Sequence, residues 1–264
     1  MLPGASDFLE AQPNEQLGLL FEPEEFVCEV KRRLLVPVSE TDQFCPCCED
    51  VCDRHGRHAG LCAGAGDRVL RHHAARNHVG SFATSARFNP TLEKPGLLPP
   101  RPDDVHVSGR RPADVYIPSW FQGAPAAFDF AVSSPHRQAA RALGPQRSGQ
   151  AAQEYEKVKR HHLDTELVCR QQGIAFIPLV AEPSGGWGPT GVDTLGRLAR
   201  ASDRRLGDEP GTGAKHLFQQ LSVAIRRATT RAVLRRCAEP CPAGGPLAAA
   251  RALLAAQGEE EGEA

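Results

Sequence analysis

The sequence predicts a mixed α/β protein, and three observations carry that prediction. Two short apolar runs, Val115-Tyr116-Ile117 and Ala126 to Val132, are separated by about eight residues that include Pro118 and Gly123, the pattern of paired strands with a loop. A proline-free stretch rich in Ala, Glu, Lys and Leu follows over 149–172 and stops at Gly173, as a long helix would. A third β run, Ile174 to Ala181, comes directly after it, and its Pro178 favours a strand end or an edge strand.

The remaining elements fall around this centre. Glu24 to Leu35 is amphipathic and ends before Pro37, which predicts one helix within an N-terminal segment, 1–43. Residues 44–66 hold a dense Cys/His segment that becomes glycine-rich at its end. Asp67 is a candidate N-cap for a helical run through His78. The proline-rich passage Pro90 to Pro102 predicts a linker or long loop. Further helices are expected at about 190–205 and 214–236. The organisation expected is therefore a core over 67–206, a basic helical segment over 207–240 and an acidic, disordered tail over 241–264.

With 264 residues, the chain is long enough for one large domain with appendages. Apolar residues make up 41% and charged residues 24%, near the globular norm and against wholesale disorder. No apolar run approaches the ~18 residues of a membrane span, and the N-terminus lacks the basic-then-apolar layout of a secretory signal. A nuclear or cytoplasmic protein is expected, neither secreted nor membrane-bound. The formal charge of −1 hides a segregation: ten Lys/Arg stand against four Asp/Glu from Arg54 to Arg111, and six stand against none from Ala214 to Arg236. Two basic surfaces of this kind suit a polyanion despite a neutral whole.

Nine cysteines, five of them within Cys45–Cys62 and accompanied by histidines, point to metal before disulfides. Cys45, Cys48, His58 and Cys62 form C-x2-C-x9-H-x3-C. A tight C-x2-C turn and an H-x3-C pair can each supply two ligands to tetrahedral zinc. Such zinc would be structural, because four protein ligands leave no position for water. Cys47, Cys52 and His55 are surplus donors that leave the ligand count open.

Asp114 opens one strand run and Asp129 lies within the next. Two acids so placed can converge on one divalent cation, magnesium or manganese, which takes hard oxygen ligands. A lysine is then wanted to offset charge at phosphorus. Tyr155 and Lys159 are spaced i,i+4 and share a helix face, whereas Lys157 points about 160° away, so Lys159 is favoured over Lys157. Taken alone, the same residues also read as ordinary strand-end aspartates and a solvated helix face.

Six strings occur in order: Cys45-Pro46-Cys47-Cys48, then Asp53–Cys62, Gly66–Arg76, Arg110–Trp120, Pro125–Pro135 and Glu154–Leu163. Together, over roughly 44–236, they resemble the C-terminal region of site-specific non-LTR retrotransposons, where a CCHC zinc knuckle precedes a restriction-like endonuclease of the PD-(D/E)XK superfamily. The resemblance implies a restriction-endonuclease-like αβββαβ core with the knuckle before it and helices after it. It implies Asp114 and Asp129 as the acids for catalytic magnesium, and magnesium-dependent hydrolysis of a DNA phosphodiester. Two departures stand out: Ala113 separates Pro112 from Asp114, and Ala131 occupies the position of the usual strand lysine, which passes the lysine role to the helix. No Tyr-Ala-Asp-Asp signature occurs, so the reverse transcriptase of a parent element is absent from this chain.

The expected partner is double-stranded DNA, with RNA a second candidate. Arg68, Arg71, His72 and Arg76 on one helix, and Arg227, Arg231 and Arg235 at four-residue spacing on another, are the candidate contacts to phosphate. Solvated helix faces would carry the same charges. The competing functional reading is a nucleic-acid-binding zinc-knuckle remnant that no longer cleaves.

Overall fold

The computed structural model describes residues 2–48, 50–99, 112–142 and 149–237. It is a mixed α/β structure. In chain order, α1 (Pro23–Arg33) leads to a small hairpin of β1 (Gln43–Phe44) and β2 (Val51–Cys52), then to α2 (Asp67–Ser85) and β3 (Thr91–Leu92). The main strands β4 (Val115–Phe121) and β5 (Ala124–Val132) follow, then α3 (Gln138–Arg141), α4 (Gln150–His161), α5 (Thr165–Gln171) and β6 (Ala175–Ala181). Two long helices, α6 (Pro189–Leu206) and α7 (Thr212–Cys237), complete the described chain.

The sheet order is β3-β4-β5-β6, antiparallel except for the parallel β5–β6 pair. Pro178 sits opposite Asp129 in that pair. The missing N–H of Pro178 is tolerated because β6 is an edge strand, as its sequence indicates. Alternation along β5 sends Ala126, Phe128 and Phe130 into one core with Val79 and Ala83 of α2, Leu195 and Leu198 of α6, and Leu217, Leu221 and Ile225 of α7. Ala127 faces the other way, towards Cys169 of α5 and Phe176 of β6. The 207–237 segment thus belongs to the same core as the sheet. Trp120 and Trp187 pack into that core as well.

Three expectations need correction. The passage from Pro90 contains β3, whose Thr91 and Leu92 pair with Tyr116 and Val115. The helix expected over 149–172 is two helices, because Leu163 and Asp164 both take positive φ near 55° and turn the chain between α4 and α5. The first core helix runs past His78 to Ser85. The acidic tail over 241–264 lies outside the described residues.

Helix α7 is held by buried carboxylates. Asp67, at the start of α2, is fully buried and receives Arg236 Nη1 at 2.5 Å together with Arg235. Glu29 of α1 is buried against Arg226 and accepts a hydrogen bond from Thr230 Oγ1 at 3.1 Å. Glu25 pairs with Arg231. Asp203 of α6 accepts the Gly211 and Gly213 amides at 2.9 and 2.7 Å, satisfying donors at the α7 N-terminus that would otherwise be orphaned. Replacing Asp67 by Ala would strand the buried Arg236 guanidinium. The expected loss is about 3–5 kcal/mol, read as a lower urea midpoint. Arg231→Ala, at a half-exposed pair, is expected to cost less than about 1 kcal/mol in the same measurement.

Candidate zinc site and acidic cluster

Two constellations of chemically useful side chains emerge. The first lies in the hairpin. Cys45 and Cys48 flank the β1–β2 turn, His58 opens a short 3-10 turn at His58–Gly60, and the Cys62 amide bonds back to the His58 carbonyl at 2.9 Å. These local bonds draw four ligand atoms within 4.8 Å of one another: Cys45, Cys48, His58 and Cys62. Cys45 Sγ to Cys62 Sγ is 3.9 Å, Cys62 Sγ to Cys48 Sγ 3.7 Å, and Cys48 Sγ to His58 Nε2 3.3 Å. Zinc–sulfur bonds of ~2.3 Å give tetrahedral S–S edges of ~3.8 Å, so the cluster has the dimensions zinc requires.

The amides of Cys47 and Gly64 donate to Cys45 Sγ at 3.4 Å and Cys62 Sγ at 3.3 Å. Such bonds orient the two sulfurs. Burial alone would raise the Cys45 thiol, but the Cys47 amide and its neighbours Cys48, His58 and Cys52 bring it down to about 6. Cys52 packs beneath the ligands, and burial with a nearby Cys45 pushes its thiol up to about 12. It is buried against the ligands and is not among the four converging ligand atoms.

The second constellation is at the strand ends. The Asp114 amide donates to the Phe128 carbonyl at 2.9 Å, while Asp114 Oδ2 accepts the Phe130 amide at 2.5 Å. Asp114 therefore grips β5 on either side of Asp129. His72 Nε2 of α2 meets Asp114 Oδ2 at 2.9 Å, and Lys159 Nζ of α4 meets the two oxygens of Asp129 at 3.1 and 2.9 Å. Burial raises the Asp129 carboxyl to about 6. Lys159 opposes that rise and the Asp114 charge adds to it. Burial would lower the Lys159 ammonium, yet the attraction of Asp129 and Asp114 leaves it raised, so it stays protonated. His72 follows the same logic: burial works against its proton, and the hydrogen bond and charge of Asp114 restore it above the usual range.

Other sequence candidates are placed as follows. Lys157 is exposed and pairs with Glu154 at 2.9 Å, away from the acids. Tyr155 lies one turn before Lys159, with the Arg137 guanidinium 4.2 Å over its ring. The arginines expected to meet phosphate have internal partners. Arg71 is buried and donates to the Ala59 carbonyl at 2.7 Å, which removes it from contact with an external phosphate. Arg68 donates to the Leu61 carbonyl at 2.8 Å, Arg76 pairs with Glu93, and Arg227 donates to the Leu20 carbonyl at 2.9 Å. Arg231 and Arg235 serve Glu25 and Asp67. His72 reaches Asp114, a role its helical spacing did not announce.

No protein-family model matches the chain, and no curated protein matches it. No described helix is long and apolar enough to cross a membrane. What the geometry supports directly is a site able to hold one structural zinc, built from Cys45, Cys48, His58 and Cys62. Protein prepared with zinc is expected to carry one ion per chain by elemental analysis, and Cys62→Ser or His58→Ala to lose it. Chelation is expected to lower the thermal midpoint, because metal binding energy here is also folding energy.

Proposed function

We propose that the acidic cluster is the site of a metal-dependent DNA endonuclease, with a restriction-like core and a structural zinc knuckle, in keeping with the retrotransposon endonucleases that the sequence resembles. One observation supports this most: Asp114 holds the β5 backbone on both sides of Asp129, and Lys159 comes from α4 to Asp129. Adjacent strands thereby offer two hard carboxylates beside one ammonium, the combination that phosphodiester hydrolysis asks for.

The donor set is compatible with magnesium. Among the described residues, the one group of three or more converging metal-binding side chains is the Cys/His cluster. Two carboxylates without a third match an ion that keeps several waters and takes the rest of its ligands from substrate phosphate. Such an ion, held by Asp114 and Asp129, would supply charge neutralisation and a more acidic water. Lys159, protonated throughout the neutral range, acts as a fixed positive charge near the phosphate and not as a base. His72 and the Phe130 amide hold the Asp114 carboxylate in one orientation, and Tyr155 lines the same face of α4.

The second reading, a DNA-binding protein that no longer cleaves, draws on the same contacts. Asp114 Oδ2 already serves two donors and Lys159 spans both oxygens of Asp129, so the acids are satisfied without an ion. Nicking of supercoiled plasmid separates the two. The endonuclease reading expects magnesium-dependent nicking that Asp129→Ala abolishes and Lys159→Ala lowers by about 10²–10³-fold. Tight DNA binding without nicking would favour the second reading, and nicking that survives loss of Asp129 would overturn the site.

Acidity supplies a further check. A carboxyl raised to about 6 is largely protonated below that pH and cannot hold a cation. The magnesium concentration giving half-maximal nicking is expected to fall as pH is raised from about 5 to about 7, then to level off.

A further inference from the structure

Arg137 lies between β5 and α3, eight residues after Asp129. Its guanidinium stacks over the Tyr155 ring at 4.2 Å. Its Nε is shielded there and has no hydrogen-bond partner among the described residues. Arg71, Arg226 and Arg236 share an unpartnered Nε, but their Nη atoms end on carbonyls or carboxylates, whereas Arg137 rests on a ring. A half-buried guanidinium held flat by a ring loses little freedom on binding, and its planar fork matches a phosphate.

The surroundings are also positive. Neighbouring His136 has its proton disfavoured first by burial and then by Arg57 of the knuckle, with Arg141 and Arg32 adding to the effect and Asp53 opposing it. Tyr155 and Lys159 lie one turn apart on α4, close enough for Tyr155 to act on the Lys159 charge. Arg57 and Arg141 thus lie near Arg137 by way of His136, and Lys159 lies one turn along α4 from the ring on which Arg137 stacks.

We infer that Arg137, oriented by Tyr155, binds a backbone phosphate of double-stranded DNA next to the one positioned at Asp114, Asp129 and Lys159. This rests on the endonuclease reading for the role of the cluster, but not for the binding itself. Arg137 is a positioning residue: it sets where the duplex lies and takes no part in the bond broken.

The test is fluorescence anisotropy of the zinc-loaded full chain on a duplex DNA of arbitrary sequence, without magnesium, over a series of salt concentrations. A duplex RNA of equal length is run in parallel. Arg137→Gln is expected to weaken DNA binding by roughly five- to ten-fold at low salt. The slope of log K against log salt is expected to fall by about 0.9, the share of one phosphate, a change that loss of packing would not produce. Arg137→Lys should keep the slope while recovering only part of the affinity. Thermal midpoints of both variants separate binding from misfolding.

An unchanged affinity and slope for a folded Arg137→Gln overturns the contact, whether or not the wild type nicks DNA. A slope lost only on RNA overturns the DNA assignment. The expected loss on DNA in a wild type that shows no nicking upholds the phosphate contact and rejects the endonuclease reading instead.

Discussion

Two buried carboxylates, Asp67 and Glu29, decide how the long helix α7 can sit. That helix carries six basic side chains and no acid from Ala214 to Arg236, yet Arg226 and Arg236 are almost fully buried. A guanidinium so enclosed is tolerable only with an opposite charge and hydrogen bonds around it. Glu29 brings α1 to the helix and Asp67 brings the first turn of α2. The apolar side of α7, through Leu217, Leu221 and Ile225, can then close over the sheet. Charge pairing on one side and burial on the other therefore fix the same helix, and five of its six basic side chains have partners within the protein.

The acidic cluster works on the opposite principle. Asp114 and Asp129 are close enough for one charge to raise the other's carboxyl, and the single Lys159 only partly relieves Asp129. Lys159 and His72 come from helices on different parts of the fold, α4 and α2, so the cluster exists only when both are docked on the strands. A carboxyl raised by burial and by a neighbouring charge, beside a lysine, is the kind of perturbed group found both where charged ligands bind and in structural ion-pair networks.

How much of this was legible differs from residue to residue. The knuckle ligands could be read because spacing fixes them: Cys45, Cys48, His58 and Cys62 lie in one short loop whose local bonds do the assembling. The main strands were legible from their apolar runs, and Pro178 at a sheet edge from its missing donor. Helical period put Lys159 on the face of Tyr155 and Lys157 off it, and Lys159 is the one that reaches Asp129. What failed depended on distance in sequence. Arg235 meets Asp67 across 168 positions and Arg231 meets Glu25 across 206, and no local pattern reports such partners. The two-residue β3 is too short to show a period. Leu163 at positive φ carries no glycine to announce the turn. Arg137 sits in a loop where a lone arginine reads as solvent-exposed.

The zinc knuckle and the acidic cluster are linked through α2. Arg68 and Arg71, in its first two turns, donate to the Leu61 and Ala59 carbonyls of the knuckle, and Asp67 beside them is tied to α7. His72, which orients the Asp114 carboxylate, is the next residue along the same helix. A helix fixed at its start by these bonds has little freedom to rotate, and a rotation by one residue, about 100°, would carry His72 off Asp114 altogether. Metal held in the knuckle would stiffen the carbonyls to which Arg68 and Arg71 attach, since its ligands bracket Ala59 and Leu61. The knuckle thereby bears on how His72 meets Asp114, by setting the rotation of one helix.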